Sequence, residues 1–462
     1  MQILKVNSPF DGHLIQEVPM ITLEQGKEML HTAYRIFNNR KAWLPKYRRI
    51  EILEKTAQIM SERIEELTKT AAEEGGKPYK DSMVEVLRAI NGVKLAVEHI
   101  GQMKGSEIPM GMTQASEGRL AFTTKEPIGV VFSVSAFNHP LNLIVHQTVP
   151  AIAVGAPVII KPASTTPLSC INFVNILYEA GLPHEYCQVA VCKSSVAEQL
   201  VTDKRVNFMS FIGSAKIGWY LAGKLSSGTR YALEHGGVAP VIVEADADLD
   251  EAIPALIKGG FYHAGQVCVS VQKVFVQKGI INEFTERFTA GVKKLKTANP
   301  LNKETDVGPI IVKEEINRVE AWVKEAEESG GKILCGGNRI SEKLYEPTVI
   351  LNPSENAKIS NEEIFGPVVC IYEYENTEEA IERANSLPFA FQSAVYTKNI
   401  DLALKCAEKL RASAVMINDH TAFRVDWMPF GGWDDSGIGI GGIPYSMHEM
   451  TREKLTVIKK QF

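Results

Sequence analysis

Residues 259–276 read Gly-Gly-Phe-Tyr-His-Ala-Gly-Gln-Val-Cys-Val-Ser-Val-Gln-Lys-Val-Phe-Val. Cys268 follows the turn-forming pair Gly265-Gln266 and precedes an apolar run rich in β-branched residues, a pattern typical of a buried strand. A thiol at the junction of a loop and a rigid strand can be directed at a ligand while its neighbours stay fixed. Free cysteine is also one of the most buried residue types, so simple core packing is the alternative interpretation. The partners that the rest of the chain supplies decide between the two.

The length and composition are those of an ordinary soluble protein with more than one domain. At 462 residues the chain exceeds what one hydrophobic core usually supports, so we expect two or three domains. The formal charge of −5 gives no basic bias toward nucleic acid or an anionic membrane. No apolar run has the length of a membrane-spanning helix, and Met1–Lys5 does not begin a signal peptide. The seven cysteines are scattered singly without a Cys-x-x-Cys motif, which argues against disulfides and a metal site and favours the reducing cytoplasm.

Hydrophobic periodicity predicts an α/β fold. The first quarter of the chain is mainly helical and ends in a tract of exposed strands between Gly105 and Glu126. The predicted helices of that part are Leu23–Asn39, Tyr47–Glu74 and Asp81–Gly101. After Pro127 strands and helices alternate, which predicts a parallel sheet with helices on both faces and ligands at the carboxyl ends of its strands. Its predicted strands are Ile128–Ser135, Pro157–Lys161, Gln188–Val191, Val206–Ile212 and Tyr231–Glu234. A second α/β unit begins near Pro240.

Three polar residues lie where predicted strands end. The side-chain amide of Asn138 can donate to an oxyanion there, although a turn asparagine is the alternative. Lys161 can bind ribose hydroxyls or a phosphate, unless it is only a solvated lysine. Glu234 precedes two glycines, and a partly desolvated glutamate can act as a general base toward water; the alternative is a strand-end acid in solvent.

Two loop motifs offer contacts for a nucleotide. Gly213-Ser214 separates a strand from a helix that contains Gly218, so the first backbone N–H groups and the Ser214 hydroxyl can receive a pyrophosphate. The pattern is not the G-x-G-x-x-G fingerprint, and such turns are common. Glu363 and Phe365 lie in a turn that offers a carboxylate for ribose hydroxyls beside an aromatic wall, unless the turn is only a loop.

The order and spacing of these motifs resemble the aldehyde dehydrogenase superfamily over nearly the full length of the chain. The motifs that carry the resemblance are Phe137–Leu141, Lys161–Ala163, Phe211–Ser214, Glu234–Gly237, Gly265–Cys268, Glu363–Pro367 and Pro429–Gly432. As a set they are highly specific. They favour catalysis over core packing as the interpretation of Cys268.

The resemblance implies an NAD- or NADP-dependent oxidation of an aldehyde. The Cys268 thiolate attacks the aldehyde, and the oxyanion of the thiohemiacetal lies between the Asn138 side chain and the Cys268 backbone N–H. Hydride passes to the nicotinamide, and Glu234 activates the water that hydrolyses the remaining thioester. One thiol serves both half-reactions because sulfur is a good nucleophile and a good leaving group. The residues that match the cofactor contacts of the family are Lys161, Ser214, Glu363 and Phe365; Gly213 is in the turn with Ser214, and Gly218 is in the helix that follows.

Several positions depart from the family pattern. Ser164 stands where strongly NAD-preferring members carry a glutamate that binds the adenosine ribose diol. Loss of that charge removes repulsion against a 2′-phosphate, so we expect use of NADP or of both cofactors. Lys273 replaces an arginine that is usual five residues after the nucleophile. The departures at His235, Val238 and Asp434 have no functional interpretation from the sequence.

His139 beside Asn138, together with Arg424, resembles the branch that oxidises small polar or anionic aldehydes, which includes lactaldehyde, phosphonoacetaldehyde and sulfolactaldehyde enzymes. The candidate substrate contacts are Arg119, His139, His420 and Arg424, each of which is alternatively a surface or structural residue. Succinate-semialdehyde and non-phosphorylating glyceraldehyde-3-phosphate dehydrogenases are the alternatives. Against the former, Gln147 and Tyr262 occupy the positions where those enzymes carry arginines.

The resemblance also implies three parts. A Rossmann-like cofactor-binding domain comprises residues 1–108 and 128–235, and a catalytic domain comprises residues 236–440. Residues 109–127 and 441–462 form an oligomerisation element, because exposed strands invite pairing with another subunit. We therefore expect a homodimer or homotetramer.

Two rival functions remain for a chain of this fold. A CoA-acylating member transfers the acyl group to CoA and does not need a base for water, so Glu234 argues against it. A non-catalytic binding protein on the same fold is disfavoured because Cys268, Glu234 and Asn138 are all present.

Overall fold

The computed structural model describes residues 2–460, and its N-terminal part is mainly helical. The elements of this part are β1 (Gln2–Asn7), β2 (Leu14–Met20), α1 (Leu23–Asn38), α2 (Lys46–Glu62), α3 (Ile64–Gly75), α4 (Tyr79–Ile100), β3 (Glu107–Ile108) and β4 (Arg119–Pro127). The single helix predicted over Tyr47–Glu74 is two helices, because Arg63 leaves helical geometry (φ −116°, ψ 25°). Its guanidinium pairs with Glu179, a tertiary contact that the local sequence does not reveal. Gly76 ends α3 in the left-handed conformation (φ 67°), as the Gly-Gly-Lys-Pro sequence predicts.

Strands and helices then alternate as predicted. These elements are β5 (Val130–Val134), α5 (Asn142–Val154), β6 (Val158–Lys161), α6 (Leu168–Glu179), β7 (Cys187–Val189), α7 (Ser194–Val201), β8 (Val206–Ile212), α8 (Ala215–Ala222) and β9 (Arg230–Glu234). All five predicted strands are present, within three residues at either end.

The second α/β unit contains longer loops. Its first elements are β10 (Val241–Val243), α9 (Leu249–Phe261), β11 (Lys273–Gln277), α10 (Ile281–Val292), α11 (Lys313–Glu328), β12 (Lys332–Cys335), β13 (Thr348–Leu351), α12 (Lys358–Asn361) and β14 (Val368–Tyr374). The remaining elements are α13 (Thr377–Ala384), β15 (Phe389–Ala390), β16 (Gln392–Tyr396), α14 (Ile400–Lys409), β17 (Ala414–Ile417), β18 (Trp433–Asp434), β19 (Gly437–Ile438), α15 (Ile443–Glu449) and β20 (Thr451–Lys459).

The first large sheet has the strand order β19-β9-β8-β5-β6-β7, and β5 to β9 pair in parallel. Successive residues of β5 enter different cores because strand side chains alternate. Val131 packs with the helices α2, α4, α5 and α6, whereas Val130 and Phe132 pack on the other face with α1 and α7. β19 lies within the predicted catalytic part of the chain, yet it pairs antiparallel with β9 and extends the first sheet.

The second large sheet has the strand order β12-β13-β14-β11-β10-β16-β17 and is parallel except for β12. Phe275 of β11 enters one core, and its neighbours Val274 and Val276 enter the core on the opposite face. Both faces of the sheet are therefore covered, as near-continuous apolar strands predict.

A separate three-stranded antiparallel sheet consists of β20, β4 and β3. β20 pairs with β4 over nine residue pairs, from Thr451 with Pro127 to Lys459 with Arg119. Its side chains Leu455, Val457 and Ile458 are exposed. None of the helices in the described range 2–460 is long and apolar enough to cross a bilayer.

Candidate active site

One cavity of about 300 Å³ lies at the carboxyl ends of β5, β8 and β9 and reaches the loop between α9 and β11. The carboxyl edge of a parallel sheet is where ligands bind in open α/β folds. Nine predicted residues line the cavity: Asn138, His139, Gly213, Ser214, Glu234, Cys268, Glu363, Phe365 and Arg424.

The loop before Cys268 is fixed by an unusual backbone. His263, Ala264 and Gly265 adopt positive φ angles of 51°, 54° and 66° in succession. A Cβ at Gly265 would lie 2.1 Å from the Gly366 carbonyl oxygen, so only glycine fits there. The Gln266 Nε2 donates to the carbonyls of His263 and Pro309, at 3.1 Å each. The half-buried Cys268 is thus held at the cavity by a preorganised turn.

Asn138 lies directly beside this turn. Its Nδ2 donates to the Gln266 carbonyl oxygen over 3.0 Å, and the residue is 6% exposed. An amide nitrogen carries two hydrogens, so one remains for an oxyanion beside Cys268. The structure therefore brings the predicted oxyanion donor to the predicted nucleophile.

Glu234 ends β9 and lines the same cavity. Burial raises the pKa of its carboxyl group, and the positive charge of Arg424 opposes the rise. Burial also raises the pKa of the Cys268 thiol well above its usual value, and the nearby Glu234 carboxylate adds to the effect. Before a substrate binds, burial therefore favours the uncharged form of both groups.

The predicted nucleotide contacts form the other end of the cavity. Ser214 precedes α8 without using its hydroxyl as a cap, which leaves that hydroxyl and the first N–H groups of the helix for an anion. The Glu363 Oε1 is buried without a hydrogen-bond partner, and burial raises the pKa of this carboxyl to about 8. Phe365 packs edge-on against Phe137 with ring centroids 5.9 Å apart. An orphaned carboxylate oxygen, an aromatic wall and a free helix start fit a nicotinamide nucleotide.

The side chain of His235 explains why residue 218 is a glycine. A Cβ at Gly218 would lie 2.0 Å from the His235 Cε1, so Gly218 makes room for this ring and does not line the cavity. The His235 Nδ1 lies 2.8 Å from the Gly213 carbonyl oxygen, and the ring packs between Phe211 and Trp219. The departure at His235, uninterpretable from the sequence, thus supports the Gly213 turn. A cofactor contact at Gly218 stays a prediction beside this packing role.

Two further cofactor candidates lie at the same sheet edge but outside the cavity. Lys161 ends β6; it is buried without an ion-pair partner in the described chain, and burial lowers its pKa. Ser164 follows it and is exposed. Their assignment to the adenosine half of the cofactor stays a prediction.

Two predicted substrate contacts are not part of the cavity. Arg119 lies on β4, where its guanidinium donates to the Glu117 carbonyl over 3.3 Å and its backbone pairs with Lys459. Arg119 is therefore a residue of the three-stranded sheet. The His420 Nδ1 accepts from the Ala422 N–H over 3.1 Å; Ala422 lines the cavity and His420 does not.

Arg424 lies in the cavity without a carboxylate partner in residues 2–460. Its guanidinium stacks on the Phe430 ring at 3.5 Å from the centroid. One nitrogen, Nη2, lies 3.4 Å from the His146 Nδ1, and the buried Nε has no hydrogen-bond partner. Burial lowers the pKa of the Arg424 side chain, but an arginine stays charged at neutral pH.

The sequence interpretation missed the residues around Arg424. Arg88 and Asn142 line the cavity, and Asp426 and His146 lie directly behind them. The sequence could have indicated Arg88 as a functional residue, because this charged residue falls among the apolar positions of α4 that pack inward. Asp426 could not be found from spacing, since its partners are 280 or more residues away.

Comparison with known proteins agrees with this geometry. The sequence model of the Aldehyde dehydrogenase family matches residues 2–456. A lactaldehyde dehydrogenase from Methanocaldococcus jannaschii is 39% identical over 462 residues, covering 99% of this chain and 97% of the relative. A 3-sulfolactaldehyde dehydrogenase from Priestia megaterium is 37% identical over 413 residues, covering 89% of this chain and 86% of the relative.

Two solved structures share the fold. Aldehyde dehydrogenase 21 from Physcomitrella patens, in complex with the reaction product succinate, superimposes with a TM-score of 0.96 at 37% identity, covering 99% of this chain and 95% of that one. Glyceraldehyde-3-phosphate dehydrogenase GapN from M. jannaschii, complexed with NADP, gives a TM-score of 0.94 at 38% identity and covers 99% of both chains. With the cysteine, the glutamate and the asparagine gathered at one cavity, these matches establish that the chain belongs to the aldehyde dehydrogenase family.

Proposed function

We propose that this NAD(P)-dependent aldehyde dehydrogenase oxidises a small polar or anionic aldehyde, of the lactaldehyde, sulfolactaldehyde or phosphonoacetaldehyde type, to the carboxylate. The observation that carries the proposal is the meeting of Cys268, Glu234 and Asn138 at the cavity that also holds the unpaired Arg424. The first three supply the chemistry of oxidation and hydrolysis. Arg424 supplies the preference for a polar or negatively charged substrate.

In the first half-reaction, the Cys268 sulfur forms a bond with the aldehyde carbon and its proton leaves to the medium. The resulting oxyanion accepts hydrogen bonds from the free hydrogen of Asn138 Nδ2 and from the Cys268 backbone N–H. A nicotinamide nucleotide, which Ser214, Glu363 and Phe365 would hold, would supply the acceptor for the hydride that leaves this carbon. A thioester on Cys268 remains.

In the second half-reaction, Glu234 accepts a proton from water as the water oxygen attacks the thioester carbon. The carbon–sulfur bond breaks, and the product leaves as a carboxylate while the Cys268 thiol is restored. A base buried at the cavity can do this because its raised pKa brings its proton affinity closer to neutral pH.

Arg424 argues for an anionic or strongly polar substrate. A half-buried guanidinium without a carboxylate partner has lost part of its solvation free energy, and a bound anion can offset that loss. Relatives of similar sequence act on such molecules: one is named for 3-sulfolactaldehyde, and a solved structure of another holds succinate.

Replacing Arg424 with methionine tests the substrate class. We expect kcat/KM for an aldehyde with a carboxylate or sulfonate group to fall by about 100-fold, because a buried charge-assisted hydrogen-bond pair is lost. For propionaldehyde, which carries no charge, we expect a change below about threefold. The measurement is steady-state kinetics of the wild type and the variant with a panel of short neutral, hydroxylated, carboxylated, sulfonated and phosphonated aldehydes. Equal losses for charged and neutral aldehydes would contradict the assignment of Arg424.

We also propose that the chain uses NADP, alone or together with NAD. Ser164 carries no negative charge to repel a 2′-phosphate, and Lys161 is close to it in the sequence with its ammonium unpaired. The expected result is a kcat/KM for NADP at least equal to that for NAD at a saturating aldehyde concentration. A strong preference for NAD would show that Ser164 does not determine the choice.

We propose that the parts of the chain have the roles expected from the sequence. Residues 1–108 and 128–235 supply the first sheet except β19, which supports their role in cofactor binding. Residues 236–440 supply the nucleophile. The exposed apolar side chains of β20 support subunit pairing through the element 109–127 and 441–462, as a homodimer or homotetramer in the cytoplasm.

A further inference from the structure

Asp426 is the central residue behind the substrate end of the cavity. Its Oδ1 and Oδ2 accept from the Arg88 Nη2 and Nε over 2.7 and 3.1 Å, a bidentate pair. The same Oδ1 accepts from the His146 Nε2 over 2.8 Å and from the Asn142 Nδ2 over 3.3 Å. Asp426 is 1% exposed and does not line the cavity, so it acts only through these neighbours.

The protonation states of Asp426 and His146 follow from these contacts and from burial. Burial alone would raise the pKa of the Asp426 carboxyl, but its hydrogen bonds with His146 and Arg88 hold it well below its usual range. Burial lowers the pKa of His146 to about 4, so the ring is neutral at pH 7. With Nε2–H donating to Asp426, its Nδ1 is an acceptor directed at Arg424. Asp426 thus holds Arg88 directly and orients Arg424 through His146.

The two arginines at this end of the cavity have one hydrogen-bonded carboxylate between them. Arg88 and Arg424 carry two positive charges, and Asp426 carries one negative charge. Burial lowers the pKa of His139 well below its usual value, which favours the neutral ring; burial raises the pKa of Glu234, and the charge of Arg424 opposes that rise. The other titratable groups around this end include the Cys268 thiol and the Tyr262 phenol, whose pKa values burial raises, the His263 ring, whose pKa burial lowers, and the buried Lys77–Glu85 ion pair. Of the two guanidinium groups, only that of Arg424 has no carboxylate within hydrogen-bond distance in residues 2–460.

We infer that Asp426 is a specificity-determining residue that sets the cavity to accept a single negative charge, so that the substrate is a short aldehyde carrying one carboxylate or sulfonate and not a dianionic phosphate. A monoanion can pair with the free guanidinium of Arg424, whereas a dianion leaves one buried negative charge unpaired. The site would select against a dianion because of the negative charge that stays unpaired, as well as through the contacts that a monoanion makes. The inference rests on the proposed function, because it takes this cavity as the aldehyde site.

A test without substitutions uses methyl sulfate and methyl phosphate, which share a tetrahedral shape. Methyl sulfate is a monoanion throughout, while methyl phosphate loses its second proton near pH 6. Each anion is tested for protection of Cys268 from iodoacetamide in the enzyme without nucleotide, with labelling of the Cys268 peptide measured by mass spectrometry. When the pH is lowered from 8 to 5.5, we expect the ratio of half-protecting concentrations, methyl phosphate over methyl sulfate, to fall by about tenfold. No change in this ratio, or no protection by either anion, would overturn the inference.

The variant Asp426→Asn raises the net charge of the site by one. At pH 8 we expect the ratio of half-protecting concentrations, methyl phosphate over methyl sulfate, to fall by about tenfold. Asp203→Asn is the matched control, since Asp203 also holds an arginine in a bidentate pair, with Arg205, but lies outside the cavity. It should leave the ratio unchanged.

A ratio that stays at the wild-type value in folded Asp426→Asn contradicts the role of Asp426. If this variant does not fold, as judged by circular dichroism, the pH experiment on the wild type still decides the inference. The labelling requires no turnover, so it is separable from the proposed function, which fails if the wild type oxidises none of the panel aldehydes.

Discussion

Replacing Cys268 with serine is expected to lower kcat by about 1000-fold or more with every aldehyde. A serine hydroxyl has a much higher pKa than a thiol, is a weaker nucleophile without an adjacent base, and makes a poorer leaving group in the hydrolysis step. A 1000-fold loss corresponds to about 4 kcal/mol of transition-state stabilisation. Because Cys268 acts in both half-reactions, no other group can compensate.

The measurement combines steady-state kinetics with mass spectrometry of enzyme quenched during turnover. In the wild type the acyl mass should appear on the peptide that contains Cys268, and in the serine variant it should be absent. Cys335→Ser is the matched control, because Cys335 is also half-buried and free but lies on β12 outside the cavity. It should keep kcat within about twofold. Full activity of Cys268→Ser would remove the basis for the mechanism.

Much of the fold was predictable because the relevant signals are local. Alternating apolar strands and helices predicted the order β5 to β9, and the structure confirms these elements within three residues. The break at Arg63 was not predictable because no proline or glycine marks it, and the pairing of β19 with β9 was not predictable because it joins distant parts of the chain. Sequence periodicity reports which face of an element is buried, and not which partner buries it.

The same distinction holds for the site. Asn138, Glu234 and Cys268 were identifiable because each follows a strand or a turn in a motif of fixed spacing. Arg119 and His420 were chosen by residue type alone, and neither lines the cavity. Asp426 was missed because a buried carboxylate among loop residues has no local signature, and only its contacts with Arg88 and His146 reveal it.

Replacing Glu234 with glutamine is expected to separate the two half-reactions. Glutamine keeps the size of the side chain but cannot accept a proton from water, so thioester hydrolysis should slow by about 100- to 10,000-fold. Formation of the thioester does not need this base for water and should persist. Mixing the variant with aldehyde and cofactor should therefore give a burst of about one reduced nicotinamide per active site, followed by slow turnover.

Glu244→Gln is the control, since Glu244 is also a buried glutamate directly after a strand, but its carboxylate accepts from the Thr377 hydroxyl outside the cavity. It should show wild-type turnover without a separate burst. A Glu234→Gln variant that turned over as fast as the wild type would exclude Glu234 as the base. A variant that formed no reduced nicotinamide at all would place the role of Glu234 in the first half-reaction instead.

The pH dependence gives an independent check on the same residue. A general base works only when deprotonated, so turnover limited by hydrolysis should rise with pH through the pKa of Glu234. Burial raises that pKa, which moves the rise above the range of an exposed glutamate and toward neutral pH. Glutamine does not titrate, so this rise should vanish in Glu234→Gln when single-turnover hydrolysis of the thioester is followed across pH.

The pH dependence of the burst should persist in the variant, because that step depends on ionisation of the Cys268 thiol, whose pKa is also raised by burial. Loss of one pH dependence with retention of the other requires two separate titrating groups, as a thiol nucleophile and a carboxylate base provide.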